Sequence, residues 1–292
     1  MSIIPPNVSA SSGSTSPEIV QVSVYVQDFN EFSVTDGTIK ASFYLTLRSD
    51  TNVTIDDIDI INGHATSVET ILNQTNMKEY RIIADLTADP DLRRFPFDRH
   101  IIPIEIEPRY KNEQQMVLIV GQVDTGLDSD AGLPGWELKN GSSAIVNKTY
   151  IPGEIPFSRA VFTFGIERDA TSTILKFFLP IMLIIVVALS SLMIKISSRL
   201  GLNASMFLAA VLIHWRIADA IPVVAYATFL DLFMIITYAT LVMVLVSGLL
   251  ILRSTEAKDQ ERISLVNKWS VRIIPTISLS LYCLLFVSLL VQ

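Results

Sequence analysis

Ser197, Gly201, Ser205, Leu208, Leu212, Trp215 and Asp219 follow one another at intervals of three or four. That spacing puts them on one stripe of a helix. The stripe is small and polar at one end, apolar in the middle and acidic at the other. Copies gathered round an axis would line a water path. Rings of Ser and Asp would favour ions, and the apolar middle would close by dewetting. A bundle that pairs its polar groups internally could use the same residue types. His214 in the same run and His100 far from it can titrate near neutral pH, which makes protons a candidate signal. Asp124, Asp128 and Asp130 form one acidic turn, and Asp56, Asp57 and Asp59 another. Carboxylates of this kind suit a regulatory calcium ion, although neither spacing is that of an EF-hand. No cofactor is otherwise implied. The sequence has no Ser-His-Asp arrangement, His-Glu-x-x-His motif or phosphate loop, so the reading is not an enzyme. Cys283 is the single cysteine, which excludes a disulfide within the chain.

The elements that must position these residues fall into two halves. Of 292 residues, 50% are hydrophobic and 17% charged. Residues 1–168 hold 23 acids and 13 bases, and residues 169–292 hold 6 and 9. The acidic half repels nucleic acid and attracts cations. Residues 1–17 are rich in Ser and Pro and read as a flexible arm. From 18 to 168 the apolar residues alternate with period two. Val22, Val24 and Val26 share one strand face, and Ala41, Phe43, Leu45 and Leu47 another. Gly, Asp, Asn and Pro clusters separate the runs. Many short strands over about 150 residues predict an antiparallel β-sandwich.

Residues 169–292 predict an all-α membrane domain with spans at 174–194, 200–221, 226–252 and 271–291. The first, at 1.5 Å per residue, reaches roughly 32 Å, enough to cross a hydrocarbon core. Pro180 predicts a kink. Lys195 and Arg199 follow the first run, and Arg253, Lys258, Arg262, Lys268 and Arg272 surround the gap between the third and fourth. The positive-inside rule then puts these ends in the cytoplasm and the sandwich and C-terminus outside. No basic region leads into an apolar core in residues 1–17, so an outside domain implies an export signal already removed.

Leu92–His100 reads LRRFPFDRH. This segment resembles the loop at the base of the outer domain in pentameric ligand-gated ion channels, the Cys-loop receptor superfamily. Phe95, Pro96, Phe97 and Asp98 match its core, and Arg93 and Arg94 resemble the bacterial, cysteine-less members. Gly135-Trp136-Glu137, Arg168, Pro180, Arg199, Pro222, Tyr226 and the short connection 253–270 fall into the same register. The likeness covers about residues 18–292. It implies a homopentamer in a prokaryotic inner membrane, passing ions through a pore and opened by a small extracellular ligand. Partners would be other copies of the chain, membrane lipids, permeating ions and the ligand, without nucleic acid. It implies that Phe95, Pro96, Phe97, Asp98, Arg168, Pro222 and Tyr226 couple the sandwich to the pore. Arg168 would pair with Asp98, Asp56 or Asp57. Tyr150 and Phe157, with Trp136, would contribute to an aromatic ligand cage, which attracts amines through cation–π contacts. Ser197 and Ser198 stand where cation-selective members carry a glutamate, and the Trp-x-Pro motif between early strands is absent. The acidic outer half and Asp219 favour cations. The alternative from a different class is a non-conducting membrane receptor or adhesion protein with a sandwich sensor.

Overall fold

The computed structural model describes residues 16–219 and 221–291. Most of the 1–17 arm therefore lies outside the described residues. Among the described residues, ten strands form two packed sheets. They are β1 (Glu18–Ser33), β2 (Thr38–Ser49), β3 (Ile58–Ile60), β4 (Gly63–Asn73), β5 (Met77–Thr87), β6 (Arg99–Pro108), β7 (Met116–Val120), β8 (Gly126–Leu127), β9 (Trp136–Lys148) and β10 (Phe157–Arg168). One sheet runs β4-β5-β2-β1-β7, with β8 also on β1, and the other β3-β6-β10-β9. The predicted sandwich needs one correction. β7 and β8 pair with β1 in parallel, so the first sheet is mixed.

Alternation decides which side chains face the space between the sheets. Val20, Val22, Val24 and Val26 of β1 are fully buried, as are Ala41, Phe43 and Leu45 of β2. Ile102, Ile104 and Ile106 of β6 and Phe162 of β10 meet them from the opposite sheet. β-branched and aromatic side chains fit this half-buried pleated surface, and removing them from water is the main gain of the fold.

Four helices follow, each long and apolar enough to cross a membrane: Ile174–Met193, Ile196–Ala218, Phe229–Glu256 and Gln260–Leu290. The first carries a π-helical turn, Ile174–Phe178, that ends two residues before Pro180. Proline lacks an N–H and crowds the carbonyl four residues earlier, so the turn widens there. The second begins at Ile196, before the apolar stretch starts, because Ser197, Ser198 and Arg199 are tolerated in a first turn. The third begins at Phe229, three residues later than expected. Thr228 and Asp231 form a capping box that sets its start. The fourth begins at Gln260 rather than 271. No proline or glycine interrupts 260–270, so the helix extends through a charged stretch that hydropathy alone ignores. The second helix is the least apolar of the four and the least covered by the rest of the chain.

Phe162 is fully buried between the sheets and borders β6 and β9. Replacing it with Ala should cost about 3–5 kcal/mol through lost transfer energy and a residual cavity. A lower midpoint for loss of β signal in circular dichroism, with the helical signal persisting longer, is the expected result.

Candidate functional site

The base of the sandwich meets the helices at the loop Leu92–Asp98. The first amides of any helix lack intrahelical acceptors. In the third helix they are satisfied from two directions. Phe229 N donates to Arg93 O at 2.9 Å and Leu230 N to Phe95 O at 3.2 Å. Asp231 N donates to Thr228 Oγ1, and Thr228 N donates back to Asp231 Oδ2 at 2.8 Å. Two of the helix's orphan donors are thus capped by the sandwich itself. Leu92 N donates to the Tyr226 hydroxyl at 2.9 Å, and Arg94 Nη2 to Leu289 O on the fourth helix at 2.6 Å. The Arg93 guanidinium lies over the Tyr226 ring.

Aromatic packing seals the joint. Phe97 stacks on Phe178 with centroids 5.5 Å apart and meets Phe229 edge-on at 5.6 Å. Phe95 lies 5.8 Å from Phe177. The bond between Phe95 and Pro96 is cis, and the loop turns back with Phe95 buried and Asp98 aimed upward into the sandwich.

Asp98 is the electrostatic centre. Its side chain is fully buried, and Arg168 grips it with two donors, Nε to Oδ1 at 2.7 Å and Nη2 to Oδ2 at 2.9 Å. His100 Nε2 sits 2.6 Å from Oδ2. Burial by itself would push the Asp98 carboxyl up. The hydrogen bonds from His100 and Arg168 and their charge outweigh it and hold the group below the usual carboxylate range. The Arg168 guanidinium also lies 4.2 Å above Trp136 and 5.1 Å from the Phe95 ring. Arg168 therefore contacts Asp98 and not Asp56 or Asp57. Those two stand beside Ile58, which pairs with Pro108 at the opposite end of β6 from Asp98. Strand direction, invisible in the sequence, decided which acid was near.

A further contributor is not marked by any sequence motif. The β1–β2 turn brings Val34, Asp36 and Gly37 to the same base, across a cavity of ≈ 450 Å³ from Pro222 and Tyr226. Asp-Gly is a turn dipeptide, but nothing in its pattern says which end of the sandwich Asp36-Gly37 occupies.

The three aromatic candidates do not meet within one chain. Tyr150 and Phe157 form an edge-on pair at 5.8 Å. Trp136 lies at the other end of β9, paired in register with Arg168, whereas Phe157 pairs with Lys148. Trp136 belongs to the Asp98 joint. The Tyr150 hydroxyl donates to Glu107 at 2.8 Å and accepts from Arg159 at 2.7 Å. Arg159 also binds Glu105 and Glu107. A cation therefore already balances the acids beside this aromatic pair. Partial burial and the neighbouring Glu107 push the Tyr150 hydroxyl up. The acidic turn is not assembled as a cage either. Asp124 is paired with Arg48, and Asp128 Oδ1 accepts from the Asp130 amide. Among the described residues no group of three or more metal-ligating side chains converges.

The second helix has two unlike faces. Ser197, Gly201, Ser205, Leu208, Leu212, Trp215 and Asp219 all lie on its open side, with Leu208 60% and Trp215 66% exposed. Arg199, Asn203, Ala210 and Ile217 point into the bundle. Arg199 donates to Ser191 O and Leu192 O at the end of the first helix and to Asn267 Oδ1. Asn203 donates to Leu241 O. His214 turns to Tyr238, 2.9 Å from its hydroxyl, and lies 3.8 Å from Asp231. It sits off the open stripe.

No family model matches the chain, and no curated protein matches it. A β-sandwich followed by four helices long and apolar enough to cross a membrane is consistent with the architecture of the pentameric channels.

Removing one partner of a buried ion pair leaves the other uncompensated, at a cost of about 3–5 kcal/mol. Asp98→Asn should lower the unfolding midpoint accordingly. The sign of the pH effect follows from the depressed carboxyl. Its contribution is present above the unfolded value of about 3.9 and is lost as pH falls through the lower folded value. Wild-type stability should therefore drop in this acid range and Asp98→Asn should show a smaller drop, as read by thermal melts at stepped pH.

Proposed function

We propose that this chain is one subunit of a pentameric ligand-gated ion channel that conducts cations. The observation that carries the reading is the second helix. Every residue of its polar-apolar-acidic stripe is left open, while Arg199 and Asn203 on its other face donate to partners inside the bundle. Five such stripes around an axis make a conduit with small polar rings, an apolar constriction near Leu208 and Leu212, and an acidic mouth at Asp219. The sandwich would stand outside the cell with the basic helix ends in the cytoplasm. The acidic sandwich concentrates cations at the mouth by focusing its field.

Gating follows from the joint. A small molecule, proton or divalent cation bound to the sandwich shifts the equilibrium only through contacts that differ between closed and open states. The Leu92–Asp98 loop touches the first, third and fourth helices and the Pro222–Tyr226 link. A movement of the sandwich therefore reaches the end of the second helix through packed and hydrogen-bonded groups. Trp136 and Arg168, with Asp98, act as positioning residues in this account. Tyr150 and Phe157 are candidates for one wall of the ligand site, with Arg159 as the charge a ligand must meet.

Purified protein in planar bilayers, with pH, calcium and small amines varied separately, tests the reading. Ligand-evoked currents whose reversal potential follows the cation gradient are expected. Absence of current despite correct pentamer assembly would instead favour a non-conducting receptor. Leu208→Ser should wet the constriction. Since burying one Leu side chain is worth about 1.5–3 kcal/mol, the activating dose should fall by roughly tenfold or more.

A further inference from the structure

Residues 18–168 contain eight asparagines, and four of them are followed two positions later by Ser or Thr with no proline between. These are Asn52-Val53-Thr54, Asn73-Gln74-Thr75, Asn140-Gly141-Ser142 and Asn147-Lys148-Thr149. Ser and Thr make up 21 of those 151 residues, so chance alone would give about one such triplet among eight asparagines. All four asparagines are exposed. Asn62, whose side chain bonds Pro103 O and the Glu105 amide, is followed by Gly63-His64 and starts no such triplet. The pattern is not sufficient by itself. Asn203-Ala204-Ser205 fits it too, and Asn203 is 2% exposed inside the second membrane helix.

The four triplets of the sandwich stand away from the membrane joint. β2 runs from the base turn to Ser49, so Asn52 lies past its far end. Asn73 pairs with Lys78, which pairs with Leu47, and so shares that end. Asn147 pairs with Ser158, toward the end of β10 remote from Arg168, and Asn140 lies within β9. β4 and β9 are terminal strands of their sheets, so Asn73, Asn140 and Asn147 stand on sheet edges. An uncovered edge is a template for pairing with another chain, and a bulky hydrated group blocks it. Two of the side chains have a use that survives attachment at Nδ2. Asn73 Oδ1 accepts from Lys78 Nζ at 2.7 Å, and Asn147 Nδ2 donates to Glu113 Oε1 at 2.7 Å. Substitution at Nδ2 leaves the oxygen and one N–H in place.

We infer that Asn52, Asn73, Asn140 and Asn147 accept N-linked oligosaccharides. The donor is an oligosaccharide carried on a lipid pyrophosphate. The amide Nδ2 bonds to the anomeric carbon of the first sugar, and the bond from that carbon to the pyrophosphate oxygen breaks. The lipid pyrophosphate leaves with the electron pair, the amide gives up one proton, and nothing is oxidised or reduced. The transferring enzyme acts outside the cytoplasm and reads the hydroxyl two residues on. The inference rests on the outside placement of the sandwich and does not depend on ion conduction. Carbohydrate at these positions coats the end remote from the membrane and the edges formed by β4 and β9, and leaves the base loop and the second helix free.

The full chain would be isolated from the membranes of its natural host, cut with protease and read by peptide mass spectrometry. The peptides bearing the four asparagines should carry added sugar mass, with fragments that place it on asparagine. Peptides bearing Asn62 or Asn203 should carry none. Thr149→Ala keeps Asn147 and removes only the exposed hydroxyl. It should abolish the sugar at Asn147 and leave the other three unchanged, and Thr149→Ser should restore it. Labelling of spheroplasts with a membrane-impermeant amine reagent, read at exposed Lys40, reports the placement of the sandwich separately. Labelled Lys40 with all four peptides bare would overturn the sites and leave the placement intact. Bare peptides with Lys40 protected would overturn both. Sugar that persists at Asn147 in Thr149→Ala would also overturn the assignment.

Discussion

Two peptide N–H groups, those of Phe229 and Leu230, need acceptors that their own helix cannot supply. The sandwich supplies them from Arg93 and Phe95. Such donors buried without partners would each cost free energy comparable to a lost hydrogen bond. The start of the third helix is therefore completed only when the base loop is in place. The loop in turn is held from above by Asp98, which is buried and satisfied by Arg168 and His100. Arg168 is the last residue of β10, directly before the first membrane helix. The chain thus crosses the sandwich–bundle boundary once covalently and once through this polar joint, and the two crossings grip each other.

Much of this was legible in residue types. Period-two alternation at Val22–Val26 and Ala41–Leu47 located strands and chose their buried faces, because a pleat sends successive side chains to opposite sides. Apolar length located four helices. The Phe95–Asp98 loop and Arg168 were paired by resemblance, and the structure brings them together. The misses have physical causes. The parallel pairing of β7 and β8 leaves no trace in alternation, which reports faces and not directions. The placement of Asp56, Asp57 and Asp36 depended on which way strands ran. Trp136 and Tyr150 sit near the two ends of one long hairpin, so their shared aromatic character hid their separation. The early start of the fourth helix was hidden because its first turns are charged.

Polarity in the second helix separates into two uses. Arg199, Asn203 and His214 each find a partner within the bundle, as a polar group at membrane depth requires. Ser197, Ser205 and Asp219 face outward, and Ser205 returns its hydroxyl proton only to its own helix at Gly201 O. Apolar Leu208 and Leu212 lie between them. Residue type alone could not make this division, since inward and outward groups interleave along the sequence.

The arrangement around Arg199 bears on how the second helix can move. Its guanidinium closes the carbonyl end of the first helix and reaches Asn267 on the fourth, pinning one extremity of the second helix to two neighbours. At the other extremity the helix runs into the Pro222–Tyr226 link, held by the sandwich. A rod fixed at one end and pushed at the other acts as a lever. Its middle sweeps an arc while its fixed end scarcely shifts. Displacement would then grow from nearly nothing at Ser197 to its largest value near Asp219, favouring rotation about a fulcrum at the Arg199 end over axial sliding.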